Sequence, residues 1–151
     1  MKVHIGPWVN EGARDINVEL ADYDSWNVDY TLAVVAAPLL CQLRATSHSY
    51  GRVDPADVPD DVPSSEDGTI ESWHWVMDEM IWAFNQKCRD DWEGDFYEYK
   101  DATPEEKEKS DTESLFGLKL VWEDRKGRNA HQKRMSNGFK LFGKYFENLW
   151  D

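Results

Sequence analysis

Trp75, Trp82, Gln86 and Arg89 recur at intervals of seven, four and three residues, so a helix would carry them on one face, flanked by Asp78 and Glu79. An aromatic ring beside a cation can stack a nucleobase while the cation meets its phosphate. Trp26, Arg44 and Arg134 offer the same chemistry from other segments. The candidate ligand-binding residues are therefore Trp75, Trp82, Arg89, Trp26, Arg44 and Arg134. Packing of that second face inside the chain or at a subunit contact is the alternative reading.

Other constellations carry less. Glu71, His74 and Asp78 share a helical face, but Glu-x-x-His occurs once, whereas di-iron bundles use it twice with further carboxylates. No metal site is expected there. Cys41 and Cys88 lie on apolar stripes, far from any CxxC pattern, and read as buried, reduced thiols. His4, His48, His74 and His131 are scattered, and no GxSxG or protease cysteine signature is present. The glycines form neither GxGxxG nor a P-loop, so no cofactor is implied, and Gly138 and Gly143 read as close-packing points of a helix. An enzyme is thus less expected than a binding protein.

These residues need elements to position them. Lys2–Ile5 reads as a strand closed by a Gly6-Pro7 turn, and Asp15–Ala21 alternates like a half-buried strand. A first helix is predicted over about 28–46, with Asn27 as N-cap and a kink at Pro38. Its Leu32–Cys41 sector is apolar on every side, which predicts a central core helix. Residues 47–68 carry Pro55, Pro59 and Pro63 among six acids and one arginine, and read as an acidic loop. A second helix is predicted over about 70–92, its core stripe running through Trp73, Met77, Met80, Ile81 and Phe84. Residues 90–113 hold eleven acids and three lysines, which predicts a second acidic loop. Leu115–Trp122 is a strand candidate, followed by a charged turn over Glu123–Arg128. A third helix is predicted over about 129–150, with Met135, Phe139, Phe142, Phe146 and Leu149 as its stripe. It is expected to pack on the second helix. The fold class is α+β: three main helices with a small antiparallel sheet.

Composition bounds the function. The 151 residues fit one domain, with 40% hydrophobic and 31% charged residues. No unbroken apolar run of membrane length occurs, and the first residues lack a signal-peptide core, so a cytoplasmic protein is expected. Seventeen basic against thirty acidic residues give a net charge of −13, which argues against direct binding of nucleic acid. The acid clusters could instead imitate the phosphate rows of DNA.

Four blocks carry a resemblance. They are Met1–Asn10, Asp24–Leu43 continuing into Val53–Pro59, Trp73–Phe84, and Met135–Asp151. Together they cover about half the chain, and they resemble an uncharacterised family of small tailed-bacteriophage proteins. The resemblance implies phage origin and action in the infected cytoplasm, and it brings no assigned activity. Small phage proteins without catalytic motifs commonly bind rather than catalyse. The expectation is a non-enzymatic homo-oligomer that counters host defence, in its sharpest form a sponge for a nucleotide signal. The alternative is an acidic inhibitor that blocks a host protein, as a DNA mimic would.

Overall fold

The computed structural model describes residues 1–10, 13–89, 91–101, 103 and 118–150. Three helices dominate: α1 (Val28–Thr46), α2 (Ile70–Lys87) and α3 (Arg125–Lys144). Two separate antiparallel pairs accompany them, β1 (Lys2–Asn10) with β2 (Ala13–Glu19), and β3 (Tyr97–Asp101) with β4 (Leu118–Glu123). The α+β class holds, with two two-stranded sheets in place of one.

The first strand does not stop at Gly6-Pro7. It continues to Asn10 through a register shift between Ile5 and Trp8. Pro7 has no N–H for the ladder, so the bulge absorbs it, and Arg14 Nε donates to the Gly6 carbonyl at 2.9 Å to close the gap. β2 spans Ala13–Glu19, ending two residues earlier than the alternation suggested.

α1 matches its predicted span. Asn27 precedes it as expected but makes no side-chain cap bond; Asp29 instead accepts from the Tyr30 amide at 2.8 Å. Its burial differs from the expectation. Only Ala33, Ala37 and Leu40 are buried, while Leu32, Val34 and Leu39 are exposed. The all-round apolar sector therefore does not make α1 a central helix: one face meets α2 and the opposite face stays uncovered. Cys41 lies on the uncovered side of α1 and is exposed, against the expectation of a buried thiol, whereas Cys88 is half-buried against the core at the end of α2; both are free thiols.

The centre is α2. Trp73, Met77, Met80 and Phe84 are buried as predicted, together with Val76 and Ala83. Thr69 caps its start: Thr69 Oγ1 accepts from the Ser72 amide and the Ser72 hydroxyl accepts from the Thr69 amide, both at 3.1 Å. Gly68 precedes this cap with φ of 82°, a left-handed conformation that glycine adopts at no steric cost. The helix ends at Lys87, five residues before the predicted limit, and residues 92–96 form a 3-10 turn.

α3 packs on α2, with Phe84 edge-on to Phe139 and Phe142 at 5.2 and 4.9 Å. It starts at Arg125, earlier than predicted, because the Asp124 side chain accepts from the Gly127 amide at 2.8 Å and turns the expected charged loop into a cap. It ends at Lys144, earlier than predicted, because Tyr145 leaves the helix to bond the 47–68 segment. Met135 is buried as expected and so is Leu141, whereas Phe146 of the expected stripe is exposed.

That segment is a fitted strap rather than a solvated loop. Val53 and Val58 are buried in the core. The Tyr145 hydroxyl donates to Asp57 at 2.5 Å and accepts from the Asp54 amide at 3.0 Å, and Lys144 Nζ pairs with both carboxylates. Tyr97–Asp101 forms a strand inside the second predicted loop; Tyr97 and Tyr99 lie edge-on at 5.2 Å. The remainder of that loop, from 104 to 113, lies outside the described residues, as do residues 115–117 of the predicted strand.

Candidate functional site

An open cleft lies between the N-terminus of α1 and the C-terminal end of α2. It has a volume of about 350 Å3 and is lined by Asn27, Asp29, Tyr30, Lys87, Arg89 and Trp92. A second hollow of about 550 Å3 shares Asp29, Lys87 and Trp92 with it and extends over Leu32, Phe84 and Phe139. Two aromatic rings and two cations thus face one space.

Local chemistry explains each position. The α1 N-terminus presents the positive end of its dipole, and the Asn27 side chain makes no cap bond there. Lys87 Nζ pairs with Asp29 at 2.5 Å, tying the end of α2 to the start of α1. Arg89 follows the helix end, and its guanidinium makes a fork to Asp95 at 3.0 and 3.1 Å. This link holds the Asp95 carboxyl below its ordinary range. Asp29 is lowered too, first by its bond to Lys87.

Trp92 is fixed from behind. Its ring lies parallel to that of His131 at 4.8 Å, and Trp82 and Phe96 approach the same imidazole at 4.9 and 5.3 Å. His131 Nε2 and Gln86 Oε1 are buried without a hydrogen-bond partner among the described residues. Burial holds His131 below its ordinary pKa of 6.5; the Arg89 charge adds to this and Asp95 opposes it. His74 is lowered too, by burial first and then by Arg44.

A depressed histidine binds fewer protons in the folded state than in the unfolded one, so stability rises with pH across that interval. The chain is expected to lose stability as pH falls below about 6.5, and His131→Phe, which keeps a ring in the stack, should remove part of that loss. A second loss belongs to Asp24, Asp29, Asp54 and Asp95, whose lowered carboxyls must protonate below their ordinary 3.8. Urea unfolding at a series of pH values checks both; identical upper-window slopes for wild type and His131→Phe would clear His131 of the effect.

The other candidate residues are placed as follows. Trp82 and Arg134 come together, the guanidinium 4.0 Å above the ring, and Arg134 also forks onto Glu79 at 3.0 and 2.6 Å. They join α2 to α3. Arg44 makes the corresponding fork to Asp78 at 3.0 and 3.3 Å and joins α1 to α2. Trp75 is half-buried against the core. Trp26 is exposed, next in sequence to Asn27 of the cleft. Of the six, Arg89 alone lines the cleft; Tyr30, Lys87 and Trp92 were missed. Trp92 lies three residues beyond Arg89 and Tyr30 in the first turn of α1, so no local pattern placed them together. Of the Glu71–His74–Asp78 face, Asp78 is held by Arg44. Among the described residues no three or more His, Cys, Asp or Glu side chains gather as metal ligands.

No protein family, curated protein or solved structure matches this chain.

Proposed function

We propose that the chain is a non-enzymatic binding protein whose cleft takes a small nucleotide, and that in the cytoplasm of a phage-infected cell it removes a nucleotide signal used in host defence. The observation that carries this reading is the convergence of Tyr30, Trp92, Lys87 and Arg89 on one open cleft. A base can stack on either ring, because every base has a π-face. A phosphate can take the fork of Arg89, whose planar donors match its oxygens in pairs.

Both cations are paired with carboxylates, so a phosphate must displace them. Exposure favours exchange: Arg89 and Asp95 are 41% and 52% exposed, so water screens their attraction and an incoming phosphate displaces little. The α1 N-terminus adds attraction for the incoming anion. The phage setting rests on the resemblance of the four sequence blocks.

Calorimetric titration with adenine and guanine mononucleotides and cyclic dinucleotides tests the site. Arg89→Ala and Tyr30→Ala should each weaken binding at least about tenfold, equivalent to about 1.4 kcal/mol, with unchanged circular dichroism. Equal affinity in both variants and wild type overturns the cleft assignment; loss in Arg134→Ala alone would move the site to the Trp82 face. Protein that retains no nucleotide but captures a host protein in a salt-sensitive complex would support the blocking alternative.

A further inference from the structure

The β1–β2 hairpin is amphipathic with its apolar side uncovered. Val3 pairs with Val18 and Ile5 with Ile16, which puts these four and Leu20 on one face, while Lys2–Glu19 and His4–Asn17 occupy the other. The five apolar side chains are 44–72% exposed. A lone two-stranded hairpin is marginal in water and needs a packed layer on its apolar face.

α1 carries the complementary surface. Val28, Leu32, Val35 and Leu39 follow a four-three-four spacing, the period of a helix seam. Val28, Leu32 and Leu39 are 50–62% exposed, on the face opposite the buried Ala33 and Ala37. The chain therefore holds an apolar sheet face and an apolar helix stripe, and neither covers the other.

From this we infer that the chain forms a two-fold dimer in which the hairpin face of each copy packs on the α1 stripe of its partner. Charge does not bar a second copy at these faces. Two chains of −13 repel each other, yet residues 32–43 contain no charged side chain and neither does the apolar hairpin face. Exposure agrees: eight apolar side chains on the two faces are 44–72% exposed, and contiguous apolar patches of this kind mark interaction surfaces. The exchange also joins a sheet to a helix layer, the packing that each element lacks alone. By length and composition α1 is apolar enough to cross a membrane, so a lipid surface is the competing occupant.

Sedimentation equilibrium of the full chain should give twice the 17.6 kDa chain mass. Leu32→Glu with Leu39→Glu, and separately Ile16→Glu with Val18→Glu, should each weaken the dimer at least about a hundredfold. Both variants should keep wild-type circular dichroism, because these side chains are exposed in one chain. Mixing the two variants should restore a dimer, since the intact hairpin of one meets the intact helix of the other. A monomer at all concentrations overturns the proposal, as does a dimer that either variant leaves intact. Failure to restore the dimer on mixing overturns the exchange, because like-with-like contacts would behave that way. Binding of the wild type to phosphatidylcholine vesicles in place of dimerisation assigns the faces to lipid.

Discussion

Gly138→Ala is expected to destabilise the chain by up to about 2 kcal/mol, and Gly143→Ala, five residues later on the same helix, to stabilise it by up to about 1 kcal/mol. A Cβ on Gly138 would stand 2.4 Å from Cβ of Ala83 and 2.6 Å from the Glu79 carbonyl oxygen. Both obstacles belong to the body of α2, so no side-chain rotation relieves them and the helices must separate. Overpacking of this kind costs roughly 1–3 kcal/mol, and the gain in helix propensity returns about 1 of it. A Cβ at Gly143 would meet no described residue beyond its own helix turn within 4 Å, so only the propensity gain remains. Urea unfolding of the two variants side by side reads the difference directly. Equal stabilities would mean that α2 and α3 do not cross at Gly138.

Trp73→Ala is the second large effect, at about 3–5 kcal/mol. The residue is 1% exposed and meets Tyr145 edge-on with ring centroids 6.1 Å apart. Gly51 faces the same indole, since a Cβ there would stand 3.1 Å from the ring. The ring thus touches α3's exit and the strap at once. A loss of this size is a large share of the roughly 5–15 kcal/mol that holds a domain together. Proteolytic nicking within 47–68 should appear in the variant at temperatures where the wild type resists. Trp73→Phe should retain part of the stability, and a variant as resistant as wild type would show that the strap does not depend on the indole.

The helices were legible because their apolar stripes are long, and α1 is found over its predicted span. Their packing was less so. A sector apolar on all sides, as at Leu32–Cys41, does not say which side meets the core, and the chain leaves one side open. Gly138 and Gly143 look alike in sequence; only the crossing of α2 distinguishes them. Helix ends were misplaced where a side chain from elsewhere decides them, as with Asp124 capping α3 and Tyr145 leaving it. The Tyr97–Asp101 strand does alternate, through Tyr97, Glu98, Tyr99 and Lys100, but it is five residues long and the acid-rich composition around it outweighed so short a pattern. Arg89 was legible as a site residue through its cation and nearby rings. Tyr30 and Trp92 join it only after the start of α1 meets the end of α2, a contact between positions some sixty apart that no local pattern encodes.

The strap has a consequence during synthesis. Its fastening groups, Asp54 and Asp57, emerge about ninety residues before Lys144 and Tyr145, which hold them. At roughly 5–20 residues per second the ribosome takes several seconds to supply those partners. From the completion of α2 to the end of that interval, α1, α2 and the strap exist without α3, and the face of α2 that α3 covers stays open. The stretch from Met135 to Tyr145 is thus the part whose delivery covers the open face of α2 and fastens the strap.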